Sequence, residues 1–152
     1  MAEPPKRKAR GERRDGPPEA RPRERLNLNM KYLVVSGKDE MKISRSVEAK
    51  VEDLSLTGLV FETNTMKVDG LHLSYDESPL LRNRLTMEIE LPNRRKITAI
   101  GEVSWYEKSC VRADPVYHVG VNFKEMTKDD REVLRDYLIS IRKTVRAIEL
   151  DV

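Results

Sequence analysis

From Leu26 onward, apolar and polar residues alternate with a repeat of two, which predicts strands that each bury one face. Leu26, Leu28, Met30, Tyr32 and Val34 alternate with Asn27, Asn29, Lys31 and Leu33, and Gly37-Lys38-Asp39 then marks a turn. Val47, Ala49 and Val51 alternate with Glu48, Lys50 and Glu52, and a short run, Leu59-Val60-Phe61-Glu62, follows. Leu85, Met87, Ile89 and Leu91 define a fourth strand, which Pro92-Asn93 ends. Ile97, Ala99, Gly101, Val103 and Trp105 share one face of a fifth, which makes Trp105 a core residue. Val119 to Phe123 form a sixth. Residues 64–83 interrupt the alternation, contain Gly70 and Pro79, and read as a long loop. Their Leu71, Leu73, Tyr75, Leu80 and Leu81 are more apolar side chains than a solvated loop needs. Packing on the rest of the fold is the plain explanation, and contact with a partner is the alternative.

The repeat changes after Phe123. Val133, Leu134, Tyr137, Leu138, Ile141 and Val145 recur at helical spacing. Thr127 is suited to cap this helix, Asp129 and Asp130 suit its first turn, and Arg142, Lys143 and Arg146 suit its far end. The pattern predicts a mainly β fold: six antiparallel strands curled into a barrel over about 26–124, with one amphipathic helix over about 127–147 covering an end or side. No internal repeat is evident.

Charge divides the chain differently from its global pI of 9.0. Residues 1–25 hold nine of the 29 cations, five of the 26 acids and five of the eight prolines, without an aromatic residue, Leu, Ile or Val. The other 127 residues carry 20 basic and 21 acidic side chains, so a nearly neutral domain follows a basic arm. An arm of this composition cannot bury enough apolar surface to offset its ordering entropy, and residues 1–20 are expected to be disordered, with a domain over 21–148.

Several function classes fall away. No run approaches the roughly 18–20 apolar residues of a membrane helix, and no apolar segment follows the basic N-terminus as in a secretory signal. The single cysteine, Cys110, forms no internal disulfide or cysteine-based zinc site, which fits a reducing cytoplasm. A reactive Cys110 thiol has less support than an incidental one. The two histidines, His72 and His118, belong to no nucleophile, metal or phosphate-loop motif, and His118 reads as an ordinary strand histidine. The chain is therefore read as a non-enzyme with no metal and no cofactor.

Two short patterns remain. Asp53-Leu54-Ser55-Leu56-Thr57-Gly58 is a D-x-S-x-x-G between the second and third strands. As a polar turn it needs no further role: Asp and Ser cap backbone donors and Gly supplies an unusual φ. Arg21-Pro22-Arg23-Glu24-Arg25 is an R-x-x-x-R at the border of arm and first strand, a spacing that Arg10 and Arg14 also satisfy. In order, these patterns, Gly101-Glu102-Val103-Ser104-Trp105, His118-Val119-Gly120-Val121-Asn122-Phe123 and a terminal helix resemble the PilZ domain family over about residues 21–143.

That resemblance implies a six-stranded antiparallel PilZ-type barrel with a C-terminal helix, and a receptor for the bacterial second messenger cyclic di-GMP. It also implies that Arg21, Arg25, Asp53, Ser55 and Gly58 bind the ligand, with Arg23 a secondary candidate. Arg21 and Arg25 suit the role better than Arg10 and Arg14 because they abut the first strand. Guanidinium groups offer fixed donors to phosphate and to guanine O6 and N7, and stack on the base. Asp53 accepts from the N1–H and N2–H₂ edge of guanine, Ser55 offers a hydroxyl, and Gly58 lets backbone approach the ligand. Ligand would order residues of about 20–26 over the barrel and alter the surface that a downstream protein meets, in control of a process such as motility or exopolysaccharide production. Two other readings stand beside this one. The arm could bind nucleic acid, although it lacks aromatic residues and the body lacks an obvious basic face. Alternatively, the domain could be a PilZ-like interaction module without ligand, although such modules tend to lack the motifs kept here.

Overall fold

The computed structural model describes residues 26–110 and 114–150, with the backbone course alone for 143–150. The arm over 1–20 and the border arginines Arg21, Arg23 and Arg25 lie outside the described residues. In chain order the elements are β1 (Leu28–Val35), β2 (Val47–Leu54), β3 (Gly58–Thr63), β4 (Lys67–Val68), β5 (Leu71–His72), β6 (Arg84–Glu90), β7 (Lys96–Ser109), β8 (Val116–Met126) and α1 (Lys128–Leu150).

Six strands close into an antiparallel barrel in the order β1-β2-β3-β8-β7-β6, and β6 returns to β1 through pairs such as Met30↔Ile89 and Tyr32↔Met87. Closure follows from the two-residue repeat. Every strand carries one apolar face, and curling the sheet turns all of these faces onto one axis while leaving no unpaired edge at the seam. Tyr32, Phe61, Met87, Ile89, Ile97 and Val119 are buried there. The Tyr32 ring packs on Phe61 at 5.0 Å between centroids, and its hydroxyl shares a 2.9 Å hydrogen bond with the Thr63 hydroxyl. Burial pushes the Tyr32 phenol up, the Thr63 bond opposing it, so a neutral and hydrogen-bonded group occupies the core.

The helix covers one end. Thr127 caps it by accepting the Asp130 N–H at 3.1 Å, as the sequence suggested, and Asp130 accepts the Thr98 N–H of β7 at 3.0 Å. Leu134 enters the core, and Val133, Tyr137 and Leu138 pack against its margin. The helix runs to Leu150, past the expected end near 147, so Arg142, Lys143 and Arg146 precede its final turn. Among the described residues, no helix is long and apolar enough to cross a membrane.

The opposite end is closed by the segment read from the sequence as a loop. Residues 67–72 form a hairpin with the register Lys67↔His72 and Val68↔Leu71. Asp69 and Gly70 turn it with φ of 52° and 83°, the paired left-handed conformations for which Asp-Gly is suited. Met66, Val68, Leu71 and Leu73 all enter the core, with Leu73 at 0% exposure, whereas Tyr75, Leu80 and Leu81 stay at the surface. Packing therefore accounts for Leu71 and Leu73, and the remaining three are exposed.

Asn83, only 1% exposed, fastens this plug. Its carbonyl accepts the Gly37 N–H at 2.8 Å, and its amide donates to the His72 carbonyl at 2.7 Å and to Asp76 Oδ2 at 2.8 Å. Burial pushes the His72 imidazole down. Burial also pushes the Asp76 carboxyl up, but the bonds from Asn83 and the His72 N–H, with the His72 and Lys67 charges, outweigh it and leave that carboxyl low.

Leu73→Ala is expected to cost about 2–5 kcal/mol of stability. Leu80→Ala, at a side chain 90% exposed, should stay within about 0.5 kcal/mol. Urea unfolding of both variants checks the pair, and equal effects would contradict the plug.

Candidate functional site

Asp53 owes its orientation to a bulge. Val51 pairs with Phe61, but the next pair is Asp53↔Val60, so Glu52 is an extra residue in β2. Val51 and Leu54 therefore both face the core, and Asp53 turns outward between them. The backbone carbonyl of Glu52 accepts the Leu26 N–H at 3.1 Å. The residue that follows Arg25 is thus seated beside the residue that precedes Asp53.

A second bulge lies across the sheet. Val103 pairs with Val121 and Trp105 with Gly120, so Ser104 is the extra residue in β7. Alternation alone places Trp105 in the core, and this expectation is corrected: the bulge reverses the parity, and Trp105 lies outside at 46% exposure. Two groups hold the displaced backbone. The Ser104 hydroxyl donates to the Gly120 carbonyl at 3.3 Å, and the Arg82 guanidinium donates to the Val103 carbonyl. Gly120 carries the indole directly, since a Cβ there would stand 2.1 Å from Trp105 Nε1.

Between these bulges, the pairs Asp53↔Val60, Val60↔Gly120 and Gly120↔Trp105 form one outward row across four strands. The turn from β2 to β3 borders it. The Ser55 hydroxyl accepts the Thr57 and Gly58 N–H groups, each at 3.2 Å, and the Ser55 N–H donates to the Gly58 carbonyl at 2.9 Å. Thr57 fastens the turn to β8 by accepting the Phe123 N–H at 2.8 Å. Ser55 therefore performs the capping role foreseen for a polar turn.

Gly58 does not supply the unusual φ expected of it: its φ lies outside the left-handed region. A Cβ there would stand 2.1 Å from the Val121 carbonyl oxygen, so glycine is required because β8 backbone occupies the side-chain position.

Asp53, Ser55, Thr57, Gly58, Ser104 and Trp105 line a cleft of about 190 Å³, with Val60, Gly120 and Asn122 in its floor. The structure thus brings Asp53, Ser55 and Gly58 together and adds Trp105, which sequence reasoning had assigned to the core. A slip of parity marks the β2 bulge, since Val47, Ala49 and Val51 are odd-numbered and the next apolar residue is Leu54, but Ile97 to Trp105 keep one parity and give no such sign in β7.

The cleft is small beside the roughly 300–1,000 Å³ of ordinary ligand pockets, and among the described residues its lining includes no Lys or Arg. It can seat one flat ring against the indole, with a carboxylate at the far side. A larger hollow, of about 360 Å³, lies on the β1–β2–β6 face, but its Lys31, Lys50 and Lys96 are offset by Glu48, Glu88 and Glu90. It offers no net charge to an anion.

A model of the PilZ domain matches residues 19–140 of the chain. Among solved structures, K. pneumonia MrkH in its apo state aligns with a TM-score of 0.53 and 18% identity, covering 88% of this chain and 55% of that one. This chain therefore spans about half the length of MrkH. The PilZ domain with c-di-GMP of YcgR from Escherichia coli aligns at a TM-score of 0.49 and 13% identity, over 87% of this chain and 100% of that one. No protein of curated function matches.

Gly58→Ala should destabilise the barrel by about 1–3 kcal/mol by forcing β3 from β8. Gly120→Ala should displace the indole and shift Trp105 fluorescence, the single tryptophan making the assignment direct. Denaturant titration and emission spectra check both outcomes.

Proposed function

The chain belongs to the PilZ domain family, and on that premise we propose that it is a receptor for cyclic di-GMP whose cleft between Asp53 and Trp105 takes a guanine. In this reading residues 21–148 are the domain and 1–20 a basic arm. Arg21 and Arg25 fold over the cleft, and Arg23 has a lesser part. The observation that carries the reading is the Leu26 N–H to Glu52 carbonyl hydrogen bond, which seats the residue after Arg25 beside the neighbour of Asp53.

The chemistry supports it. Asp53 presents an outward carboxylate to the N1–H and N2–H₂ edge of guanine, which adenine lacks. The half-exposed indole offers an aromatic face for stacking. The ligand's two phosphates suit the arginines, whose planar donors match phosphate and guanine O6/N7. Ser55 is occupied by its own turn, so its contribution is to hold Asp53 and Gly58 in place and to offer its remaining hydrogen-bonding capacity.

No bond is made or broken in this function. Binding orders the border segment, and the altered surface is what a downstream protein in the cytoplasm reads, in regulating a process such as motility or exopolysaccharide production.

Calorimetric titration with cyclic di-GMP tests the reading. Wild type should bind, with deletion of residues 1–20 changing affinity by no more than about threefold. Arg25→Ala and Asp53→Ala should each lose about 2–5 kcal/mol of binding free energy. Absence of wild-type binding at high micromolar ligand would overturn it.

A further inference from the structure

His118 projects from β8 into a ring of carboxylates. Its Nδ1 lies 2.8 Å from Glu52 Oε2, and its two cross-strand partners are Glu62 on β3 and Glu107 on β7. Lys50 stands opposite Glu62, its ammonium hydrogen-bonded to Asn29. Asp53, one residue beyond Glu52, adds a further negative charge on the same outer surface. The Glu52 side chain is only 12% exposed and the His118 ring 24%. A carboxylate so enclosed requires a donor, and His118 reaches it across the whole width of β3.

Glu52 is also the extra residue of the β2 bulge, and its backbone carbonyl holds Leu26. One residue thereby joins three things: its side chain to β8, its carbonyl to the root of the arm, and its place in the strand to the outward turn of Asp53. We infer that His118 is a positioning residue for the ligand site, clamping Glu52 so that the bulge presents Asp53 and Leu26 stays seated. This inference rests on the cyclic di-GMP reading for the ligand, though not for the clamp.

The test uses the full chain. Amide exchange at Leu26 should quicken in His118→Ala and stay near wild type in His118→Asn, whose amide can replace Nδ1 as donor. Cyclic di-GMP affinity should fall about three- to tenfold in His118→Ala and be largely kept in His118→Asn. Leu26 exchange indifferent to His118→Ala, or an affinity loss that His118→Asn does not rescue, would overturn the clamp. A normal clamp in a wild type that binds no cyclic di-GMP would instead overturn the ligand reading and leave the clamp standing.

Discussion

In–out alternation governs this barrel, and of the three places where it breaks, with Lys124 in β8 as the extra residue at the third, the cleft depends on two. A strand that alternates perfectly would send both Asp53 and Trp105 inward, because each shares parity with core residues of its own strand. One extra residue in β2 and one in β7 reverse that parity. Each bulge leaves backbone groups without a regular ladder partner, and each is repaired by named groups. Leu26 and the His118–Glu52 contact hold the first, while Ser104 and Arg82 hold the second. The chemistry is displayed where the ladder is irregular, on a scaffold kept rigid by the regular remainder.

That scaffold is small, and both of its ends would admit water if left open. The chain closes one with α1 and the other with the β4–β5 hairpin, so the core is continuous from Leu134 at one end to Leu73 at the other. Two glycines adjust the wall. Gly58 lets β3 lie against the Val121 carbonyl, and Gly120 makes room for the indole. Neither needs an unusual φ, and what these positions require is the absence of a side chain. The motif that reads as a binding signature is thus in part a packing requirement, with Ser55 and Gly58 shaping the turn that brings Asp53 to its place.

The strands, the helix and the core faces were legible in the sequence because burial imposes a period that any one strand displays alone. The cap at Thr127 was legible for the same local reason. The hairpin at 67–72 was missed although Asp69-Gly70 is a strong turn signal, because each flanking strand is two residues long and shows no repeat. Trp105 was misplaced for a different cause. A bulge is settled by pairing with a neighbouring strand, and only a slip of parity betrays it. The contacts of His118 were beyond reach for the same reason, since they join β8 to strands distant in sequence. Asp53, Ser55 and Gly58 came together as the motif implied, while the arginines lie outside the described residues.

The Leu26–Glu52 hydrogen bond also acts as a ruler. It fixes one end of a covalent tether, and a tether has a maximum length. Five residues reach at most about 17 Å from that point, and the outward row from Asp53 to Trp105 covers three inter-strand spacings, about 14 Å. On the proposed reading, the fifth residue before Leu26 can just cross the row at full backbone extension, while the residue next to Leu26 cannot leave the near side by backbone reach. The count from the anchor would then set each arginine's territory, so inserting or deleting a residue between them would alter the site without changing any of its chemistry.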